Sequence, residues 1–223
     1  MTEEQWRACA SPQAMLGFLR GVGAGSDRKF RLFACACCRR IWDRFPDPRN
    51  HDLVIAVENF PNGKFEDAEI EGPVCASSAC EQECRSDPAY WVAKYLGRGF
   101  YKMPAYLSAV TVALQVRQIA GRERGEVQAE ALMQAEAAAQ AELLREVFGT
   151  PARSAAFATE WRTDTAVSLA CGMYESRDFS AMPILADALQ DAGCDSDEVL
   201  NHCRAAGLHV RGCWVVDAVL GMG

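Results

Sequence analysis

Signals that begin and end α-helices recur along almost the whole chain, and no segment shows the alternating pattern of a strand. Thr2 followed by Gln5 predicts a capping box, and Ser11-Pro12 predicts a second helix start. Gly193 predicts a helix end. Because helices account for nearly every segment, we expect an all-α protein. Its architecture is a multi-helix bundle, with N-terminal helices and a C-terminal four-helix portion.

The helix signals divide the chain into two regions. Residues 1–150 form an N-terminal helical region, which contains an irregular, acidic and cysteine-containing segment over 64–87. Residues 151–223 form a C-terminal helical subdomain, in which Asp195 with Glu198 predicts a capping box. We expect the two regions to pack as one compact unit. The helices predicted in the subdomain cover 163–175, 181–192, 195–204 and 211–220.

Charge and cysteine usage limit the partners and the compartment. The net charge of −7 argues against nucleic acid as a partner, since its binding rests on the neutralisation of phosphates. No stretch is long and apolar enough to predict a membrane span. Glu3 and Glu4 lie where a signal peptide carries lysine or arginine, so we expect a cytoplasmic protein. Its eleven cysteines, an odd number, cannot form a complete set of internal disulfides.

The cysteine cluster Cys35-Ala36-Cys37-Cys38 lies on a helix with an apolar face. Successive helical residues point about 100° apart, so the three thiols of one helix cannot easily converge on a single metal ion. We therefore expect Cys37 and Cys38 to be buried core residues and Cys35 to be more accessible.

Cys75, Cys80 and Cys84 form the first candidate metal site, because loop cysteines at short spacing can converge on zinc or an iron–sulfur centre. The spacing matches neither a zinc ribbon nor the usual ferredoxin patterns, and a fourth ligand would have to come from elsewhere. The alternative is a set of reduced cysteines in a variable loop.

His202, Cys203, His209 and Cys213 form the second candidate set. His209 and Cys213 are four residues apart, a spacing that places two ligands on one helical face. The alternative is that both cysteines pack in the bundle while the histidines make caps or hydrogen bonds. No cofactor is required by the sequence, and zinc is the metal that these sets would hold.

Arg39, Arg40 and Arg44 surround Trp42 and form a small basic patch. They are candidates for binding an anionic partner, or they form a solvated face with internal salt bridges. The chain contains no phosphate-binding glycine loop, nucleophile elbow or zinc-protease motif, so no catalytic residues are assigned.

Five blocks towards the two ends of the chain carry a resemblance. They are MTEEQW at 1–6, DRKFRLFACACCRRIW at 27–42, LREVFG at 144–149, MPILADAL at 182–189 and HVRGCWVVD at 209–217. Together they resemble a large paralogous family of planctomycete bacteria of the Gemmata type, whereas residues 64–125 match that family poorly. The resemblance implies a bacterial, cytoplasmic setting and assigns no activity.

Three functions follow from these observations. The leading hypothesis is a non-enzymatic helical protein-interaction or scaffold module with a protein partner, since helix-packing signals are abundant and no catalytic constellation is present. The second is a metal-binding or thiol-based sensor that uses Cys75, Cys80 and Cys84. The third is an enzyme with a Cys–His pair, which requires a cysteine within hydrogen-bond reach of a histidine.

Overall fold

The computed structural model describes residues 1–60, 68–79, 81–101, 103–122, 126–151 and 157–222. These ranges contain thirteen α-helices, two short 3-10 helices and no strand. The predicted all-α class is therefore confirmed. The chain divides into two compact units, an N-terminal unit of Met1–Arg145 and a C-terminal unit of Glu146–Gly223.

The N-terminal unit is built around three helices that pack on one another. The helix α8 contacts both α3 and α7, and α3 also contacts α4. A short 3-10 helix, Trp42–Arg44, follows α3. The helices are α1 (Glu3–Ala8), α2 (Pro12–Gly21), α3 (Asp27–Arg39), α4 (Pro48–Asn59), α5 (Ala68–Ala79), α6 (Glu81–Cys84), α7 (Pro88–Tyr101), α8 (Ala105–Gly121) and α9 (Glu126–Phe148).

Side-chain caps begin several of these helices where the sequence predicts. Thr2 and Gln5 form a reciprocal capping box at α1, and the Ser11 hydroxyl accepts a hydrogen bond from the Ala14 amide before Pro12 opens α2. Ser26 caps α3 in the same way. Each cap satisfies an amide that has no partner within its helix.

The apolar face of α3 is buried, and it includes all three clustered cysteines. Cys37 and Cys38 are fully buried, as predicted. The expectation that Cys35 is more accessible is wrong, because its side chain is also 0 % exposed. Its Sγ lies 4.0 Å from the carbonyl oxygen of Val54 in α4. Helix α4 therefore covers Cys35, which the helical pattern places at the edge of the apolar face.

Two helices occupy most of the cysteine-containing segment that the sequence suggested to be irregular. They are α5 (Ala68–Ala79) and α6 (Glu81–Cys84). Pro73 lies inside α5, although proline removes an amide donor from a helix and restricts the preceding turn. This proline and the neighbouring glycine obscured the helical character of the segment.

The described residues of the C-terminal unit form four helices around a core of their own, as predicted. They are α10 (Asp164–Ser176), α11 (Met182–Asp191), α12 (Asp197–Arg204) and α13 (Trp214–Leu220), with a 3-10 helix at Thr159–Trp161. Helix α11 packs against α10 and α12, and α10 also packs against α13. The fully buried core side chains include Ala170, Leu185, Leu189, Cys203, Val215 and Val219.

Helix boundaries in this unit follow local backbone geometry. Gly193 has a φ of 86° and ends α11, as predicted. The capping box proposed for Asp195 is wrong, since Ser196 caps α12 by accepting from the Val199 amide. Helix α13 begins later than predicted because Gly212, at a φ of 93°, turns the chain before it. No helix in the described ranges is long and apolar enough to cross a membrane.

Candidate metal centre

Four potential metal ligands converge in the C-terminal unit. Glu146, His202, His209 and Cys213 each offer one ligand atom, and these four atoms lie within 4.8 Å of one another. We call these residues the Glu/His/Cys cluster. Among the residues that the structure describes, it is the only group of three or more such side chains with this geometry.

Each member of the cluster comes from a different part of the unit. Glu146 lies in the last turn of α9, and His202 lies near the end of α12. His209 lies in the segment between α12 and α13, and Cys213 is the residue that immediately precedes α13. Because Cys203 faces the core of the unit, the adjacent His202 projects in a different direction, towards the cluster.

The distances within the cluster are close to those between ligands of one small cation. His202 Nε2 lies 3.2 Å from Cys213 Sγ and 3.4 Å from Glu146 Oε2. His209 Nδ1 lies 3.0 Å from Glu146 Oε1. In a tetrahedral zinc site, bond lengths of 2.0–2.3 Å place neighbouring ligand atoms about 3.3–3.6 Å apart. The shortest distances therefore match a zinc-sized site, whereas the pairs that lie up to 4.8 Å apart would have to move closer together.

Trp214 determines the tautomer of His202. Its indole Nε1–H lies 3.2 Å from His202 Nδ1, and an indole nitrogen can only donate. His202 Nδ1 must therefore accept this hydrogen bond. In the neutral imidazole the single proton is then on Nε2, where it is directed at Glu146 and Cys213.

His209 has one nitrogen satisfied and one without a partner. Its Nδ1 donates to the Glu146 carboxylate, whereas its Nε2 is buried and makes no hydrogen bond. The side chain is only 7 % exposed, so water does not readily compensate for the missing contact. Nδ1 is the nitrogen beside Glu146, so an ion bound there would place the imidazole proton on Nε2, which has no acceptor in the structure.

Burial shifts the pKa of two members of the cluster, Cys213 and His202. Burial, and second the nearby Glu146 carboxylate, raises the pKa of the Cys213 thiol well above its usual value, although the amides of Val215 and Val216 oppose this. Burial also lowers the pKa of His202, with Glu146 opposing. A divalent cation would balance one thiolate and one carboxylate, so the filled cluster would carry no net charge.

The same geometry weighs against thiol catalysis. Cys213 and His202 are within hydrogen-bond distance, as the Cys–His enzyme hypothesis requires. A catalytic cysteine, however, needs an accessible thiol with a lowered pKa. The Cys213 side chain is fully buried and the pKa of its thiol is raised.

The second candidate set from the sequence is partly assembled. His202, His209 and Cys213 lie together, whereas Cys203 is a fully buried core residue outside the cluster. Burial raises the pKa of the Cys203 thiol to about 12. The sequence did not indicate Glu146, which follows two leucines and an arginine and precedes a valine in the last turn of α9. The sequence signal that could have pointed to Glu146 as a ligand was a charged residue within an apolar stretch.

The first candidate set is not assembled in the described residues. Cys75 is exposed, and Cys84 is buried beside Tyr90. Neither of them belongs to a group of three potential ligands among the side chains that the structure describes. Cys80 lies outside the described residues.

Two of the three clustered arginines are paired with buried carboxylates. Arg39 makes two hydrogen bonds of 2.6 Å to Glu58, and Arg40 contacts both carboxylate oxygens of Glu136. A cavity of about 700 Å³ opens beside Arg40 and Arg44. Its lining also includes Asp43 and Glu136, so its charged side chains balance one another. Binding of an anionic partner by this patch stays a prediction.

Comparisons with protein-family models, with curated proteins and with solved structures found no match to this chain. Its function is therefore inferred from the geometry of the molecule.

Proposed function

We propose that this protein is a non-enzymatic helical module whose C-terminal unit binds one zinc ion. The ligands are Glu146, His202, His209 and Cys213. The observation that carries the proposal is the convergence of four ligand atoms from α9, α12, the following segment and the start of α13. The ion would tie these elements together and stabilise the unit.

The donor set favours zinc over other divalent ions. One sulfur, two imidazoles and one carboxylate suit zinc, whereas calcium and magnesium prefer oxygen ligands alone. Four protein ligands leave no open coordination position for water, which is the pattern of a structural site rather than a catalytic one. The burial of the cluster supports the same interpretation, because Glu146 and Cys213 are both buried.

A buried hydrogen-bonded group without metal is the second candidate role for the cluster. The Glu146 carboxylate can accept from both histidines, and the Trp214 indole completes the contacts of His202. These bonds would fix Glu146, the first residue of the C-terminal unit, to the segment before α13 without any ion. His209 Nε2 is unpartnered in this arrangement, as it would be with an ion bound at Nδ1, so the zinc content of the protein decides between the two roles.

Zinc content of matched cysteine variants tests the proposal. The full chain is purified under reducing conditions, and its zinc is measured by elemental analysis after equilibration with one equivalent of zinc. We expect one zinc per wild-type chain and less than a tenth for Cys213→Ala. Cys203→Ala is the matched control, because it removes a buried thiol from the same core outside the cluster. It should retain zinc.

Two outcomes contradict the proposal. The first is a wild-type chain that binds no zinc at micromolar concentration. The second is zinc that persists in Cys213→Ala and disappears in a combined Cys75→Ala, Cys80→Ala and Cys84→Ala variant. That result would instead support the metal site that the sequence first suggested.

The setting and partner of the module are part of the same proposal. The ten described cysteines are all free, which fits a reducing, cytoplasmic compartment. A protein partner stays a prediction, to be tested by pull-down with the zinc-loaded and zinc-free chain.

A further inference from the structure

The indole of Trp214 lies where the Nδ1 proton of a His202 bound to metal through Nε2 would point. A neutral imidazole carries one proton, so a histidine that binds metal through Nε2 carries that proton on Nδ1. In this structure Nδ1 instead faces the Trp214 Nε1–H at a nitrogen–nitrogen distance of 3.2 Å. Two N–H groups cannot point at each other over that distance.

We propose that the hydrogen bond from Trp214 to His202 and the binding of a metal ion through His202 Nε2 exclude each other. The inference rests on the proposed function and adds its regulation: Trp214 is a positioning residue that opposes metal binding. The ion gains access to His202 only when the indole moves away from Nδ1.

The protons balance in this exchange. The imidazole proton moves from Nε2 to Nδ1, so the net charge of His202 does not change. Cys213 releases its thiol proton to solvent when its sulfur bonds to the ion. The indole keeps its proton and loses only its acceptor, and no electrons are transferred.

Contacts around the indole make its displacement costly. The His202 and Trp214 rings lie with centroids 5.2 Å apart. The indole also packs on the backbone of Gly149, where a Cβ added to the glycine would lie 3.1 Å from Trp214 Cγ. Gly149 also has a φ of 61°, which favours glycine. The close approach of this glycine thus fixes the indole near His202.

The test follows the indole N–H signals of the full chain by ¹H–¹⁵N NMR during a titration with zinc chloride. The chain has five tryptophans, and the Trp214 signal is assigned by its loss in Trp214→Phe. We expect the Trp214 signal to shift in proportion to bound zinc. The signals of Trp6, Trp42 and Trp91, which lie in the N-terminal unit, should not move.

Zinc affinity provides the second measurement, by competition with a chromophoric chelator. Trp214→Phe keeps an aromatic ring and removes the N–H donor, so we expect about two- to tenfold tighter binding, the equivalent of one neutral hydrogen bond. Trp161→Phe is the matched control, since Trp161 is a partly buried tryptophan of the same unit packed on Phe157. Its zinc affinity should equal that of the wild type.

The possible failures are distinguishable. Stoichiometric zinc binding with an unmoved Trp214 signal would overturn this inference and leave the proposed function in place, as would unchanged or weaker binding by a folded Trp214→Phe variant. Absence of zinc binding by the wild type would overturn the proposed function itself. If Trp214→Phe does not fold, the wild-type titration still decides, with the signal assigned by sequential NMR methods.

Discussion

Glu146 contacts two imidazoles through a single carboxylate. His209 donates to one of its oxygens, and His202 lies 3.4 Å from the other. The residue is only 7 % exposed, so these contacts replace most of its hydration. Glu146 is the only carboxylate among the four members of the cluster, so its charge would contribute directly to the binding of a cation.

Replacing this carboxylate tests that role directly. Glu146→Gln keeps the shape and removes the charge, so we expect zinc affinity to fall at least tenfold and the free energy of unfolding to fall by about 1–3 kcal/mol. Chelator competition and urea denaturation measure the two effects. Glu142→Gln, at an exposed position on the same helix that pairs with Arg145, should leave zinc affinity unchanged and alter the free energy of unfolding by less than about 1 kcal/mol. Equal zinc affinities for both variants would exclude Glu146 as a ligand.

At the residue scale the sequence predicted three of the four cluster members. His202, His209 and Cys213 were visible because histidine and cysteine are rare and chemically distinctive. Glu146 was not, because glutamate is common in helices and its burial depends on a partner many residues away. Cys203 was assigned to the set only by its proximity in sequence to His202.

The helix α3 shows how much of one element depends on its neighbours. The sequence predicted its apolar face correctly. Helix α3 ends at Arg39, and a 3-10 helix follows it. The structure adds the ion pairs of Arg39 with α4 and of Arg40 with α9, which local patterns cannot specify.

The three buried thiols of α3 predict a loss of stability in alkali. Burial is the first cause that raises the pKa of Cys35, Cys37 and Cys38 in the folded chain. The unfolded chain loses these protons near pH 8.5, so their contribution is intact below that pH and is lost as pH rises above it. Each thiol should lower the free energy of unfolding by about 1.4 kcal/mol per pH unit.

Denaturation of wild type and Cys37→Ala by urea at pH 8 and pH 10, with reductant and chelator, measures this slope. The variant is expected to start less stable, because it leaves a small cavity, yet to lose about 1.4 kcal/mol less per pH unit. Parallel pH profiles for the two proteins would show that the Cys37 thiol ionises freely in the folded state.

At the scale of the whole molecule, the chain consists of two compact units with the cluster entirely in the second. The sequence indicated a change of region at residue 150, since Gly149 and Pro151 end a long helical pattern. The division in the structure falls between Arg145 and Glu146, within the last turn of α9. Contacts made by that turn, rather than its local sequence, decide the unit to which it belongs.

Zinc should therefore stabilise one unit selectively. At a free zinc concentration one hundred times the Kd, we expect the C-terminal unit to gain about 2.7 kcal/mol, which slows exchange of its most protected amides about one hundredfold. Hydrogen exchange followed by mass spectrometry compares α10 and α11 with α3 and α8. Equal slowing in both units would contradict a site confined to the second.

The positions of the ligands along the chain have a consequence for the unfolded state. Glu146 is the first residue of the C-terminal unit, and Cys213 lies near its end. An ion bound by both residues would cross-link the two ends of the unit and close nearly all of it into one loop, as a disulfide would. Joining the ends of so long a loop lowers the conformational entropy of the unfolded chain. At this loop length, the free energy of unfolding would rise by roughly 4 kcal/mol. A single ion would thus act as a removable cross-link.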